Sequence, residues 1–250
     1  FSVAKLDNGL FWLGTDARGQ GIVYRANGYT GQRVSTHAIE YAIAQYGNIS
    51  DAVAYTYQQE GHAFYVLTFP TGNATWVFDV ATQAWHERAG WDNGEFTRHR
   101  SNCQCNFGGN TIVGDFENGN IYQMTLDVYD DYDEPQKWLR SWRALPSGQN
   151  NLKRTAHHSL QLDCESGTGL ATGQGDDPQV MLRWSDDGGH TWSSEHWSPM
   201  GKIGAYYQRV FWRRLGMTLK LRDRVYEVSG TDPVKVAIMG AELILSPTNA

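Results

Sequence analysis

The residues of this chain whose types could do chemistry are two arginines and a tyrosine, Arg183, Arg213 and Tyr207. Arginines bind carboxylates through paired hydrogen bonds, and a tyrosine is the nucleophile in the hydrolysis of acidic sugars by sialidases. Such an enzyme needs an arginine cluster and a tyrosine–glutamate pair, and the spacing of these three residues does not support that arrangement over chance. A glycan-binding or glycan-hydrolysing protein is therefore the alternative interpretation of the sequence.

Other catalytic signatures are absent from the sequence. There is no Gly-x-Ser-x-Gly, no HExxH, no phosphate-binding loop and no dinucleotide fingerprint. Histidines and neighbouring glutamates are dispersed along the chain, at Glu60, His62, His86, Glu87, His99 and His196. The odd number of cysteines (Cys103, Cys105 and Cys164) and the one-residue gap between the first two favour reduced thiols over disulfides or zinc. We predict no catalytic residue, no metal site and no cofactor.

The most specific motif is an Asp-box over residues 185–192, where an apolar strand runs into Ser-x-Asp-x-Gly-x-Thr-Trp. Asp187 can accept hydrogen bonds from backbone N–H groups, while Gly188 and Gly189 permit positive φ. The motif stabilises hairpin turns in β-propellers and related all-β folds, in enzymes and non-enzymes alike. We therefore interpret its defining residues as structural; they are Ser185, Asp187, Gly189, Thr191 and Trp192.

A basic stretch covers residues 201–225 of a chain whose net charge is −6. Its cations are Lys202, Arg209, Arg213, Arg214, Lys220, Arg222 and Arg224, against one acid, Asp223. Strand alternation places Arg209 and Arg213 on one face, with Phe211 between them. A structural or subunit interface made by Arg209, Arg213, Arg214, Arg222 and Arg224 is the preferred interpretation. Phosphate contact with DNA is the alternative, although the net charge argues against a general nucleic-acid binder.

The elements that position these residues are predicted to be strands. The chain has 10 Trp, 13 Tyr and 27 Gly, a composition that favours short strands joined by tight turns. Three hairpin patterns begin at Gly9, Gly61 and Gly109, spaced about 50 residues apart, which is typical of propeller blades. One short helix is predicted after Ser35 or Thr36, as an insertion between blades.

Three regions follow from these patterns. Residues 1–126 are predicted to form the propeller blades, and residues 127–151 an acidic and aromatic connector. The acidic run at its start is interpreted as a solvated loop, because the calcium-binding EF-hand spacing is absent. Residues 152–250 carry further strands, which form either closing blades or a small β-domain such as a sandwich. The fold class is thus all-β, with propeller-like blades, an Asp-box hairpin and one inserted helix.

Longer strings of the sequence resemble the packaged-DNA stabilisation proteins of short-tailed lambdoid phages. The strings are residues 22–29, 35–43, 51–62, 64–70, 184–192 and 209–216. Members of that family are longer at the N-terminus, so we expect a preceding portion to supply more blades. Residues 219–221 depart from the family pattern, where a tighter turn is expected.

The resemblance implies a structural role in the phage tail. It implies a homohexamer that closes the portal channel, retains packaged DNA, and supports the tail needle and tailspikes. Its partners would be the portal–adaptor complex and those tail proteins, with DNA passing through the channel without sequence-specific binding. It further implies assembly in the host cytoplasm, location in the virion, no membrane contact and no enzymatic activity. We predict that the basic stretch faces a neighbouring subunit or the adaptor.

Overall fold

The computed structural model describes residues 1–144, 154–218 and 224–248. Over these residues the fold is all-β with one short helix, as predicted. The chain divides into two compact units, a first unit of Phe1–Leu126 and a second unit of Asp127–Ala250. No helix in the described part is long and apolar enough to cross a membrane.

The first unit contains three antiparallel sheets of the kind that form propeller blades. The first is β1 (Ala4–Leu6), β2 (Gly9–Thr15), β3 (Gly21–Asn27) and β4 (Thr30–Arg33), followed by the helix α1 (His37–Ala44). The second is β5 (Val53–Gln59), β6 (His62–Phe69), β7 (Ala74–Asp79) and β8 (Ala84–Glu87). After a two-stranded hairpin of β9 (Ala89–Asp92) and β10 (Glu95–Arg98), the third is β11 (Ser101–Phe107), β12 (Asn110–Asp115) and β13 (Ile121–Met124). The three predicted hairpins are β2–β3, β6–β7 and β12–β13, each within a separate blade.

A similar turn closes the first and third of these hairpins. The Asp16 carboxylate accepts hydrogen bonds from the backbone N–H groups of Arg18 (2.9 Å) and Gln20 (2.8 Å). The Asp115 carboxylate accepts one from the N–H of Glu117 (2.7 Å) and another from the side-chain amide of Asn118 (3.0 Å). Because an aspartate can replace the backbone acceptor of a turn, the same residue type recurs where the hairpin reverses.

The second blade is covered on both faces, as blades are in a stack. Alternate residues of β6 face opposite ways: Tyr65, Leu67 and Phe69 are fully buried with residues of the first blade and α1. Val66 is fully buried on the other face, in a cluster that includes Tyr55 of the same blade and Met124 of the third blade. Burying each such side chain stabilises the fold by about 1.5–3 kcal/mol.

The helix α1 lies between the first and second blades, where it was predicted. Thr36 is its N-cap, and its Oγ1 accepts a hydrogen bond from the N–H of Ile39 at 3.4 Å. Ile39 and Ile43 are buried in the core of the two blades. The helix ends at Ala44, with Gln45 as its C-cap.

The second unit is a sandwich of two antiparallel sheets. A small hairpin of β14 (Asp130–Asp131) and β15 (Glu134–Pro135) precedes it. The four-stranded sheet has the order β16 (Trp138–Arg143), β21 (Val225–Gly230), β18 (Gln179–Ser185), β19 (His196–Pro199). The three-stranded sheet has the order β20 (Val210–Arg213), β17 (Thr155–Cys164), β22 (Ile238–Pro247). Leu160 and Trp212 of one sheet share a buried core with Leu182 and Val228 of the other.

Two features of the second unit bear on the sequence expectations. Of the two alternatives left open for its strands, they form the two-layer sandwich and not closing blades, since both sheets contribute to one shared core. The predicted connector over 127–151 contains a strand, because Trp138–Arg143 pairs with β21 along its whole length. Alternation explains this strand: Trp138 and Trp142 both pack against the sandwich core. Residues 145–151 of the predicted connector lie outside the described residues.

Candidate protein interface on the second unit

The basic stretch divides into a buried end and an exposed end. At the buried end, the Arg224 side chain is 1% exposed. Its Nε and Nη2 atoms donate to the two oxygens of Asp186 at 2.6 and 2.7 Å, and Nη1 donates to the Leu215 carbonyl at 2.7 Å. Arg224 is therefore not available for the predicted interface, because a nearby carboxylate and carbonyl oxygens already satisfy its guanidinium.

Asp186 is itself placed by the Asp-box. The Asp187 carboxylate accepts hydrogen bonds from the N–H groups of His190 (2.9 Å) and Thr191 (2.8 Å) and from the hydroxyls of Ser185 (2.6 Å) and Thr191 (2.6 Å). The Ser185 hydroxyl also accepts from the N–H of Gly189 at 2.8 Å. The Ser185 and Thr191 hydroxyls, with those N–H groups, hold the pKa of Asp187 well below its usual range.

The remaining residues of the motif complete this turn. Gly188 and Gly189 have φ values of 78° and 103°, which favour glycine. The Trp192 ring lies under the guanidinium of Arg183 at 4.7 Å. The Asp-box thus closes the β18–β19 connection and presents Asp186 to Arg224, and the hydroxyls of Ser185 and Thr191 both donate to the Asp187 carboxylate.

A buried histidine adjoins this arginine. His157 is 3% exposed, its Nδ1 lies 2.7 Å from the Tyr226 hydroxyl, and its Nε2 lies 3.0 Å from the Thr155 hydroxyl. Burial, together with the positive charge of Arg224, lowers the pKa of His157 to about 4. Burial also raises the pKa of Tyr226 to about 12. The histidine is therefore neutral at physiological pH and serves the internal network.

The exposed end consists of Arg209, Arg213 and Arg214, which we call the arginine edge. All three residues are exposed, and none of them has an ionic partner among the residues that the structure describes. In β20, Val210 and Trp212 are buried in the core, while Arg213 lies on the outer face with its guanidinium 4.9 Å from the Phe211 ring. The predicted alternation of this strand is confirmed.

The loop before β20 adds exposed apolar side chains that sequence reasoning missed. Ile203, Tyr206 and Tyr207 are 66%, 77% and 88% exposed. The loop backbone is held by hydrogen bonds, from the N–H of Gly204 to the Gly167 carbonyl (3.2 Å) and from Ala205 to Lys202 (2.9 Å). Exposed tyrosines beside arginines are enriched at protein interfaces. The sequence positions of these three side chains follow no helix or strand periodicity, because the loop is irregular.

Part of the predicted interface lies outside the described residues. Lys220, Arg222 and Asp223 belong to residues 219–223, as does the departure from the family pattern at 219–221. Lys202 is described and is exposed at the start of the loop. The arginine edge and this loop are thus the described portion of the candidate interface.

The three residues of the glycan-hydrolase alternative are not brought together. Arg183 lies on the outer face of the four-stranded sheet, where its Nε pairs with Glu227. Arg213 lies on the outer face of the other sheet, and Tyr207 lies in the loop before β20. A carboxylate-bearing sugar cannot contact both arginines, since the two layers of the sandwich separate them.

A serine and a histidine do meet in the first unit, but out of reach of any substrate. The His99 Nδ1 lies 2.6 Å from the Ser101 hydroxyl, which also lies 2.5 Å from the Tyr55 hydroxyl. Ser101 is 1% exposed, and burial lowers the pKa of His99 to about 3. These groups satisfy one another between the second and third blades. Among the described residues, no group of three His, Cys, Asp or Glu side chains could hold a metal ion.

Comparison with known proteins gives matches in both units. The family described as Bacteriophage P22 Gp10, beta-propeller, matches residues 1–129, and the family described as Bacteriophage P22 Gp10, beta-sandwich, matches residues 137–245. No curated protein matches the chain.

Among solved structures, an exo-beta-1,3-galactanase from Phanerochaete chrysosporium with galactose is similar at 10% identity and a TM-score of 0.25. The match covers 95% of this chain and 66% of that chain. A TM-score this low supports no argument about fold or activity.

The two family matches together span most of the chain, and they agree with the blades and the sandwich seen in the structure. The chain therefore belongs to the Bacteriophage P22 Gp10 family of phage virion structural proteins with a stabilisation role.

Proposed function

We propose that this chain is a building block of a homohexameric ring in the phage tail. The ring closes the portal channel, retains packaged DNA and supports the tail needle and tailspikes, and it assembles in the host cytoplasm. Membership of the family supports the virion role. The observation that carries the ring is the arginine edge, whose three exposed guanidinium groups lack an ionic partner among the described residues.

The charges of the chain suit a channel component that does not grip DNA. The net charge is −6, so packaged DNA experiences repulsion and not condensation on the protein as a whole. The alternative of phosphate contact would need the arginine edge to line the channel. We assign that edge instead to protein contact, because exposed tyrosines and an isoleucine lie in the loop next to it.

Arginine is suited to such a contact. Its planar guanidinium makes paired hydrogen bonds to carboxylates, and it keeps its charge when it is desolvated at an interface. Arg213 is also held by its contact with the Phe211 ring, so less conformational entropy is lost when it binds. The proposed partners of the edge are a neighbouring subunit or the portal–adaptor complex.

The test is charge reversal in the full-length protein, with Arg213→Glu and Arg214→Glu combined. A matched control with the same change in charge reverses Lys5 and Arg18, two exposed residues of the first unit. We expect the variant to fold like wild type and to be incorporated into tails at least about tenfold less, so that heads lose their DNA. The control should be incorporated normally.

Heads that retain DNA and carry normal tails with the Arg213→Glu, Arg214→Glu variant would contradict the proposal. The proposal also assigns no enzymatic activity to the chain. Turnover of a chromogenic glycoside by the purified protein, abolished by a single polar substitution in a cleft, would contradict that part.

A further inference from the structure

The three-stranded sheet of the second unit has two very different edges. One edge is the four-residue strand β20, which contains Arg213 and is flanked by Arg209 and Arg214; there the N–H of Phe211 donates to the Ser198 hydroxyl at 3.1 Å. The other edge is β22, which has ten residues and pairs with β17 on one side. Within the described ranges no strand pairs with its second side. A long open edge of this kind is a template for association.

The side chains of β22 make this edge apolar. Ile238, Met239 and Ile244 are 37%, 72% and 61% exposed. Glu242 is the single charged residue of the strand, and it is exposed. Natural sheet edges are usually protected by charges, prolines or shortness. In β22 only Glu242 and Pro247, at the end of the strand, are protective residues of these types, so most of the edge is left for a partner.

Two carboxylates lie on the outer face of the sheet at this edge. Glu242 pairs with Gln161 and Gly240 pairs with Asp163, so Glu242 and Asp163 are diagonal neighbours, about 7–8 Å apart at their Cα atoms. Asp163 is exposed, and a side chain at Gly240 would meet no atom within 4 Å. A guanidinium can therefore approach over Gly240 and reach both carboxylates.

We propose that the β22 edge of one copy receives the arginine edge of the next copy. This inference rests on the proposed ring and names the surface that accepts the arginines. Arg213 of one copy would lie between Asp163 and Glu242 of its neighbour. The apolar residues of β22 in that neighbour would be covered by the loop with Ile203, Tyr206 and Tyr207 from the copy that supplies Arg213.

Charge and symmetry favour a second copy as the occupant. The two edges belong to one sheet, the first basic with apolar residues beside it, and the second apolar with carboxylates beside it. A contact between two different patches of the same protein runs head to tail, and it forms a ring when the rotation between successive copies closes. Pairing of β22 with β22 of a second copy would leave the arginine edge without carboxylate partners and would bring the carboxylates of the two copies towards each other.

The first test introduces two separate changes at the accepting edge of the full-length protein. Glu242→Arg reverses the charge, and Gly240→Val fills the approach to Asp163 without changing charge. Both residues are exposed in a strand, and Gly240 does not have positive φ, so each variant should retain the wild-type melting temperature. We expect each to lower the number of copies incorporated per tail by at least about tenfold.

The second test is rescue by exchange of charges. Arg213→Glu alone should lower incorporation, and Arg213→Glu combined with Glu242→Arg should restore it to within about threefold of wild type. Restoration supports the contact, since neither a folding defect nor contact with the adaptor predicts it.

The outcomes separate this inference from the proposed function. Normal incorporation of Glu242→Arg and Gly240→Val, with failure of Arg213→Glu, Arg214→Glu, would overturn the assignment of β22 and leave the ring proposal standing. Failed rescue by the charge exchange would also overturn it. Normal incorporation of every variant would contradict both.

Discussion

Arg224 and Arg213 belong to the same basic stretch, yet their guanidinium groups have opposite surroundings. Arg224 is 1% exposed and binds both oxygens of Asp186. Arg213 is exposed, its guanidinium lies 4.9 Å from the Phe211 ring, and it has no ionic partner among the described residues. The difference comes from the Asp-box, which places a carboxylate beside one arginine and not beside the other. The role of each arginine therefore follows from whether a carboxylate lies beside it, and not from its residue type alone.

The largest expected effect on stability is at the buried end. Arg224→Met should lower the free energy of unfolding by about 3–5 kcal/mol, because it leaves Asp186 and two backbone carbonyls without their donor. Urea denaturation of the variant measures the change. A loss below about 1 kcal/mol would show that Arg224 is no more structural than Arg213.

The pH dependence of stability tests the same buried end. Since the pKa of His157 is lowered to about 4, the unfolded chain binds a proton near pH 6.5 that the folded chain does not bind. Stability should therefore fall as the pH decreases from about 6.5 towards 4, by on the order of 3 kcal/mol from this group. His157→Gln should flatten the profile in that range. An unchanged profile would contradict the assignment of a buried neutral histidine.

A smaller loss of stability is expected when the Asp-box is weakened at Asp187, the residue that follows the carboxylate partner of Arg224. Asp187→Ala removes the acceptor for two backbone N–H groups and two hydroxyls. The melting temperature should decrease, by less than in Arg224→Met and by more than in Arg213→Ala. A thermal unfolding series of the three variants gives the order. Because the pKa of Asp187 is lowered, its contribution is present near neutral pH and is lost below about pH 4.

The smallest effect on stability is expected at the exposed end. Arg213→Ala should change the free energy of unfolding by no more than about 0.5 kcal/mol, as is usual for surface positions without a partner. Its effect should show only in tail assembly. A stability loss comparable to that of Arg224→Met would remove the distinction between the two ends.

The sequence predicted the first unit better than the second. The hairpins at Gly9, Gly61 and Gly109 repeat, and their turns use aspartate or glycine, so local patterns were enough to predict three blades. The helix was predicted at its start, because Thr36 is a cap with Ile39 and Ile43 on one face. These features depend on neighbours in the sequence.

The features that the sequence did not reveal depend on long-range contacts. The strand Trp138–Arg143 falls in the predicted connector. Its pairing partner β21 begins only at Val225, so the local sequence around residue 138 does not reveal the pairing. The burial of Arg224 depends on Asp186, which lies 38 residues earlier. The exposed residues of the loop before β20 carry no periodicity. Neither the sandwich nor the division of the arginines follows from local composition.

The measurement that tests the central claim most directly is arginine labelling with phenylglyoxal, read by mass spectrometry, in the free full-length protein and in assembled tails. Arg209, Arg213 and Arg214 should react in the free protein and be protected in tails. Arg224 should be unreactive in both states, and the exposed Arg18 should be labelled equally in both. Equal labelling of Arg213 in free protein and tails would contradict its assignment to an interface.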